Sequence, residues 1–176
     1  MLTYLAVALV ALVTVVLILA VTKPATFRLQ RSADINATPA TVFAHLQDFH
    51  QWGGWSPWER MDPALKRTFS GAPSGKGAIY EWTGNAKVGT GRMEIMESSP
   101  PAKLVVKLDF LKPFEAHNTA EFTLEARDSG THLVWAMYGP SPFMSKVMQV
   151  FVSMDSMVGK DFAAGLANLK GVAERG

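Results

Sequence analysis

Cysteine is absent from this sequence, so no thiol stands ready as a nucleophile and cysteine usage gives no guide to compartment. Clustered positive charge is missing too. The formal net charge is only +2 and no run of Lys or Arg occurs, which leaves a nucleic-acid surface without its electrostatic footprint. No Gly-x-Ser-x-Gly elbow for a hydrolytic serine is present. His45 and His50 stand five positions apart across a helix end, which is not the spacing of a His-x-x-x-His metal pair. Gly71-Ala72-Pro73-Ser74-Gly75-Lys76-Gly77 resembles a phosphate-binding loop only on the surface. It has three residues between the glycines where four are needed, and Gly77 stands where a hydroxyl would hold magnesium. Gly89-Thr90-Gly91 lacks the third glycine and the following helix of a dinucleotide fingerprint. No metal and no cofactor is expected.

The most informative absence lies at the start, where Met1–Thr22 carries no charged side chain and runs through Leu, Val, Ala and Ile to Lys23-Pro24. At ~1.5 Å per residue, a helix over Leu2–Val21 is about 30 Å long, the thickness of a bilayer's hydrocarbon layer. Residues 1–22 therefore read as a transmembrane anchor, 23–26 as a short linker and 27–176 as one folded domain. A cleaved signal peptide would open with Lys or Arg and close on a small-x-small site, and Leu19-Ala20-Val21-Thr22 is a poor one. A buried soluble helix is the remaining alternative. Small-xxx-small spacing is absent from the segment, so it offers no motif for pairing in the membrane. Lys23, Arg28 and Arg31 follow the span, and the positive-inside rule then predicts a single-pass protein with its domain on the cytoplasmic face.

What is present in abundance is soft and aromatic: 9 Met, 5 Trp and 10 Phe. Such side chains pack cores and also line adaptable apolar pockets. Thr26–Asn36 alternates apolar and polar residues as a half-buried strand does. Thr38-Pro39 then offers a helix N-cap with proline in the first turn, and Val42, Phe43 and Leu46 supply an apolar face. Asp48–Trp58 carries three tryptophans among two glycines and a proline, in an irregular segment. Trp52, Trp55 and Trp58 are expected to form a satellite core that fixes this loop, the alternatives being a cavity lid or a bilayer contact. Candidate strands follow at Leu65–Ser70, Ala78–Thr83, Gly91–Ser98, Lys103–Phe110, His117–Ala126 and Thr131–Gly139. Their breaks are short and rich in Gly, Pro, Asn and Asp, which implies antiparallel hairpins.

From Ser145 the period becomes helical. Met144, Val147 or Met148, Phe151, Met154, Val158, Phe162, Leu166, Leu169 and Val172 form one stripe along a predicted helix of roughly 28 residues, about 42 Å. Such a helix has only the sheet to pack against. Strand parity places Tyr80, Trp82, Met93, Ile95, Leu104, Val106, Leu108, Phe110, Ala120, Phe122, Leu124, Leu133, Trp135 and Met137 toward it. Glu94, Lys107, Asp109, Glu121, Thr123, Glu125 and His132 take the other face, and Asn118 is a polar residue at an inward position.

Strand, short helix, Trp-rich turn, six antiparallel strands and a terminal helix resemble the START-like helix-grip fold of the SRPBCC superfamily. Specifically, they resemble its polyketide cyclase/dehydrase and lipid transport family. Asp34–Phe43, Asp48-Phe49 with Trp52, Trp55–Glu59, Tyr80–Asn85, Met93-Glu94-Ile95, Trp135-Ala136-Met137 and Met154–Phe162 with Gly165-Leu166 carry the likeness. It covers about residues 27–172. It implies an α+β fold, a curved antiparallel sheet wrapped on a long C-terminal helix, and a cavity between them; the membrane span is an addition to that core. Tyr80, Trp82, Met93, Phe110, Asn118, Trp135, Met137, Met148, Phe151, Met154 and Asp155 are the expected ligand-binding residues. Asp155 is the ionisable member, with an exposed helix carboxylate as the alternative reading.

The function expected from this is membrane-anchored binding or transport of a lipid or other hydrophobic small molecule, without catalysis. The alternatives are a cyclase/dehydrase-type enzyme, in which Tyr80, Asn118 or Asp155 would polarise a polyketide-like substrate, and a stress-response or protein-interaction module. The expected partners are that ligand and the membrane. No feature points to a specific protein partner.

Overall fold

A computed structural model describes residues 1–175. Helix α1, Leu2–Thr22, is long and apolar enough to cross a membrane, a test of length and composition that a signal sequence near the N-terminus also passes. Its threonines cause no break in the helix. Thr14 donates to the Val10 carbonyl at 2.8 Å and Thr22 to that of Leu19 at 2.7 Å, which satisfies each hydroxyl within one turn.

Seven strands then form one antiparallel sheet in the order β1-β7-β6-β5-β4-β3-β2. They are β1 Thr26–Ile35, β2 Lys66–Gly71, β3 Ala78–Thr83, β4 Thr90–Ser99, β5 Lys103–Lys112, β6 Ala116–Arg127 and β7 Gly130–Pro140. The predicted strands lie within a residue or two of these bounds. Register shifts from Ile95↔Val106 to Glu97↔Val105, leaving Met96 as a bulge in β4. An extra residue on one strand bends it and increases its twist, which helps the sheet curve.

Helix α2, Pro39–Gln47, begins as its sequence requires: Thr38 Oγ1 accepts from the Thr41 N–H at 3.2 Å, and Pro39 occupies the first turn. At its other end the tryptophans of the loop do the capping. Trp52 Nε1 donates to the Leu46 carbonyl at 3.0 Å and Trp55 Nε1 to that of His45 at 3.3 Å, two acceptors that the last turn of a helix leaves without partners. Both indoles are buried. The loop itself is wound into 3-10 segments, Phe49–Gly54 and Pro57–Arg60.

The single long terminal helix predicted from Ser145 is two helices. α3 covers Phe143–Phe151 and α4 covers Met154–Ala173. Val152 is extended at φ −138° and ψ 125°, and Ser153 restarts the helix by accepting from the Ser156 N–H at 3.1 Å. Two apolar stripes in register hide this break, for the spacing Met148, Phe151, Met154 runs straight through it. α4 packs on β1 and α2, whereas α3 packs on α1. The core therefore lies between α4 and the sheet's concave face, where Phe162, Leu166 and Leu169 meet the buried inward-facing strand residues.

Candidate functional site: an apolar cavity with one charged cluster in its wall

A cavity of about 240 Å³ opens between the concave face of the sheet, the Trp-rich loop and α4. Its floor is the inward parity of the central strands: Tyr80, Trp82, Met93, Leu108, Phe110, Ala120, Trp135 and Met137. The loop contributes Trp52, Ser56, Trp58 and Glu59 with Leu65, the β3–β4 turn contributes Lys87 and Val88, and α4 contributes Val158 and Phe162. Most of this wall is apolar, as in sites that exclude water from a hydrophobic guest.

Local chemistry sets each wall. Gly91 lies under the Trp82 ring, and a Cβ there would overlap the indole's edge and the Asp109 carbonyl; the missing side chain lets the ring lie close to β4. Trp82 Nε1 donates to the Val88 carbonyl at 3.0 Å. Asp62 fastens that same turn to the loop before it, accepting from the Ala64 N–H at 2.9 Å and the Asn85 N–H at 2.6 Å. Trp135 lies flat on Phe162 with centroids 4.1 Å apart and on Phe122 at 5.1 Å. Its indole N–H has no hydrogen-bond partner, the one such buried side-chain atom among the described residues. Trp58 meets both Trp135 and Phe162 edge-on, at 5.8 and 6.0 Å.

One charged cluster stands in this apolar wall. Tyr80 Oη donates to Glu59 Oε1 at 2.5 Å, and Arg67 Nε donates to Glu59 Oε2 at 2.6 Å. Arg67 is held further by the Glu59 and Leu65 carbonyls, each at 3.1 Å. Burial, reinforced by the hydrogen bond to Glu59 and that residue's charge, pushes the Tyr80 phenol well above its ordinary range. The bond to Glu59 raises the Arg67 guanidinium in turn. A buried carboxylate is tolerated when paired and fully hydrogen-bonded. Tyr80 is therefore a neutral donor whose proton is already committed.

Of the residues expected from sequence, Tyr80, Trp82, Met93, Phe110, Trp135 and Met137 line the cavity, and five do not. Asn118 is buried at its inward position, but lies beside Gly139, away from the lining. Met148 and Phe151 sit on α3, half or more exposed, because the break at Val152-Ser153 turns that stripe away from the sheet. Met154 is partly buried against the core at the start of α4 without reaching the cavity. Asp155 pairs with Arg31 and leaves 61% of its side chain exposed, so it is a surface helix carboxylate. Sequence reasoning missed Ser56, Glu59, Leu65, Lys87 and Val88 as lining residues, and it read Trp52 and Trp58 as loop core. All seven lie outside the strands and α-helices, where periodicity assigns no face.

The two histidines weighed for metal are engaged elsewhere, His45 with Gln51 at 2.8 Å and His50 with Asp48 at 2.9 Å. Among the described residues no group of three or more potential ligands lies close enough to hold an ion.

The family of proteins described as polyketide cyclase / dehydrase and lipid transport matches residues 26–174. Solved structures share the fold at low identity. A protein from Chromobacterium violaceum is 16% identical with a TM-score of 0.58, the alignment covering 86% of this chain and 99% of that one. The di-domain ARO/CYC protein StfQ of the steffimycin biosynthetic pathway is 13% identical at TM-score 0.62, over 85% of this chain and 51% of that one. Ara h 8.0201 is 12% identical at TM-score 0.60, over 86% and 99%. No curated protein sequence matches this one. The likeness establishes the helix-grip architecture that the family resemblance implied, and the apolar helix α1 precedes the matched residues.

Proposed function

The chain belongs to the polyketide cyclase/dehydrase and lipid transport family, and from that premise we propose that it binds a hydrophobic small molecule or lipid between sheet and α4. Residues 1–22 anchor it in a membrane, 23–26 form the linker, and the domain that follows holds the ligand. The observation that carries this reading is the apolar cavity of about 240 Å³. It lies just under the ~300–1,000 Å³ of sites for drug-sized ligands, so the guest is compact or only partly enclosed. Glu59, neutralised by Arg67 and tied to Tyr80, orients the guest rather than reacting with it, which favours carriage over the cyclase/dehydrase alternative. Lys23 after the span supports a cytoplasmic domain.

Ala120 is in the floor of the cavity, and Ala120→Trp tests the reading in the full-length protein in detergent. Wild type should take up an anilinonaphthalene probe saturably, and the variant should lose that uptake while retaining its circular dichroism spectrum. A wild type without saturable uptake, or a variant that binds as well as wild type, overturns the proposal. For the anchor, the intact chain should stay with membranes after an alkaline carbonate wash; its recovery in the supernatant would remove the anchor alone.

A further inference from the structure

The strand register brings several chain segments to one end of the sheet. Thr83 pairs with Thr90, Thr90 with Lys112, Phe110 with Ala116, and Pro140 with Thr26. The β3–β4 turn, the β5–β6 hairpin tip, the close of β7 and the entry from α1 thus share an edge. The opposite end carries the β2–β3, β4–β5 and β6–β7 turns.

Two apolar groups are exposed on the α1 side. Phe114, at the hairpin tip, is 76% exposed beside the half-exposed Leu111. On α3, Met144, Met148 and Phe151 recur at spacings of four and three with exposures of 72, 50 and 70%, one unpartnered stripe. α3 itself packs on α1, whose least exposed positions before the linker are Val16 and Ala20, in its last two turns. The α3 stripe is therefore continuous with the apolar surface of α1. Charge at this end has one dominant sign. Lys23, Lys66, Lys87 and Lys112 reach no carboxylate within ion-pair distance among the described residues, whereas of the carboxylates here Asp62 is buried under backbone N–H donors and Glu115 lies 3.2 Å from His117 Nε2.

From this geometry we infer that this end of the domain seats on an anionic phospholipid surface, with the β5–β6 tip and the outer face of α3 immersed in the interfacial layer. A helix of this kind lies in the interface plane with its apolar side toward the acyl chains, and nearby lysines attract anionic headgroups. The proposal takes up the reading of α1 as an anchor, and its own support is the exposed hairpin tip, the α3 stripe and the lysines around them. It gives the cavity an access route, because Lys87 and Val88 belong both to the cavity wall and to this end of the sheet.

The absence of cysteine makes the test direct, since one introduced thiol takes one nitroxide label. Full-length Phe114→Cys, Phe151→Cys, Asp128→Cys and Val10→Cys proteins are placed in vesicles of phosphatidylcholine with phosphatidylglycerol, and label collisions with oxygen and with a water-soluble nickel chelate are compared. At 114 and 151 the nickel effect should be largely lost and the oxygen effect raised, while position 128 at the far end stays nickel-accessible. Nickel access at 114 and 151 equal to that at 128 overturns the inference. Spin–spin broadening there that vanishes on dilution with unlabelled protein also overturns it, by assigning the stripe to a second copy. Val10 reports the anchor separately: an aqueous label at 10 with immersed labels at 114 and 151 sinks the anchor and leaves the docking surface standing, and the reverse pattern does the opposite.

Discussion

Tyr80 Oη and Glu59 Oε1 lie 2.5 Å apart across the wall of the cavity, with the phenol as donor. The pair joins β3 to the Trp-rich loop, and Arg67 on β2 holds the other carboxylate oxygen. Three segments that carry no common hydropathy pattern are thereby fixed around one buried charge.

Tyr80→Phe tests what that bond contributes. A hydrogen bond to a charged group contributes about 1.5–3 kcal/mol, and truncating it leaves Glu59 with one partner fewer in a poorly solvated place. The variant should lose stability in that range in chemical denaturation, and Glu59→Gln in the Tyr80→Phe background should cost less than it does alone. Additive costs would mean the two groups are not coupled.

Much of this was legible in the sequence, and the boundary of legibility has a physical cause. Period-2 alternation assigns Tyr80, Trp82, Met93, Trp135 and Met137 to the concave face, because a strand in a one-sided sheet has only two faces and one is wet. The helix stripe was less informative. Met148 and Phe151 have the same spacing whether they meet a sheet, another helix or a bilayer, so periodicity found the stripe but misassigned its partner. The break itself left a mark: Ser153 three residues before Ser156 is an N-cap arrangement, obscured by apolar positions continuing on either side. Glu59 had no pattern to betray it. Its role depends on Arg67, eight positions later, being brought back by β2.

On the convex face, His117 Nδ1 lies 2.7 Å from Asp109 Oδ1, and Lys107 Nζ lies 2.9 Å from Oδ2. The bond to Asp109 raises the His117 imidazole above its usual value against some opposing burial. Burial pushes Asp109 up, but Lys107 and His117 together outweigh it and hold the carboxyl below its usual range. The sign follows from linkage. The His117 contribution is complete below about 6.5, the ordinary imidazole value, and is lost as pH rises through its raised folded value. The Asp109 contribution is present above about 3.9 and is lost as pH falls through its lowered one. NMR titration of His117 should therefore show a midpoint above the ordinary value that Asp109→Asn moves back down; an unchanged midpoint in the variant would show that the pair does not set it.

Trp135 separates a ligand-shaped cavity from a merely imperfect core. Its N–H is buried without a partner, and a native structure rarely leaves such a donor unmet. If the ligand supplies the acceptor, a guest bearing a carbonyl gains a hydrogen bond that a hydrocarbon of equal size cannot make. Trp135→Phe keeps an aromatic ring for the stacks on Phe122 and Phe162 while deleting the donor. It should weaken binding of an aromatic ketone relative to its hydrocarbon analogue by about 1 kcal/mol, roughly fivefold in Kd, with both affinities measured by calorimetry. The loss of ring volume affects both guests alike, so the difference between them isolates the N–H. Equal weakening of the two would mean that the donor plays no part in recognition and that the cavity selects its guest by shape alone.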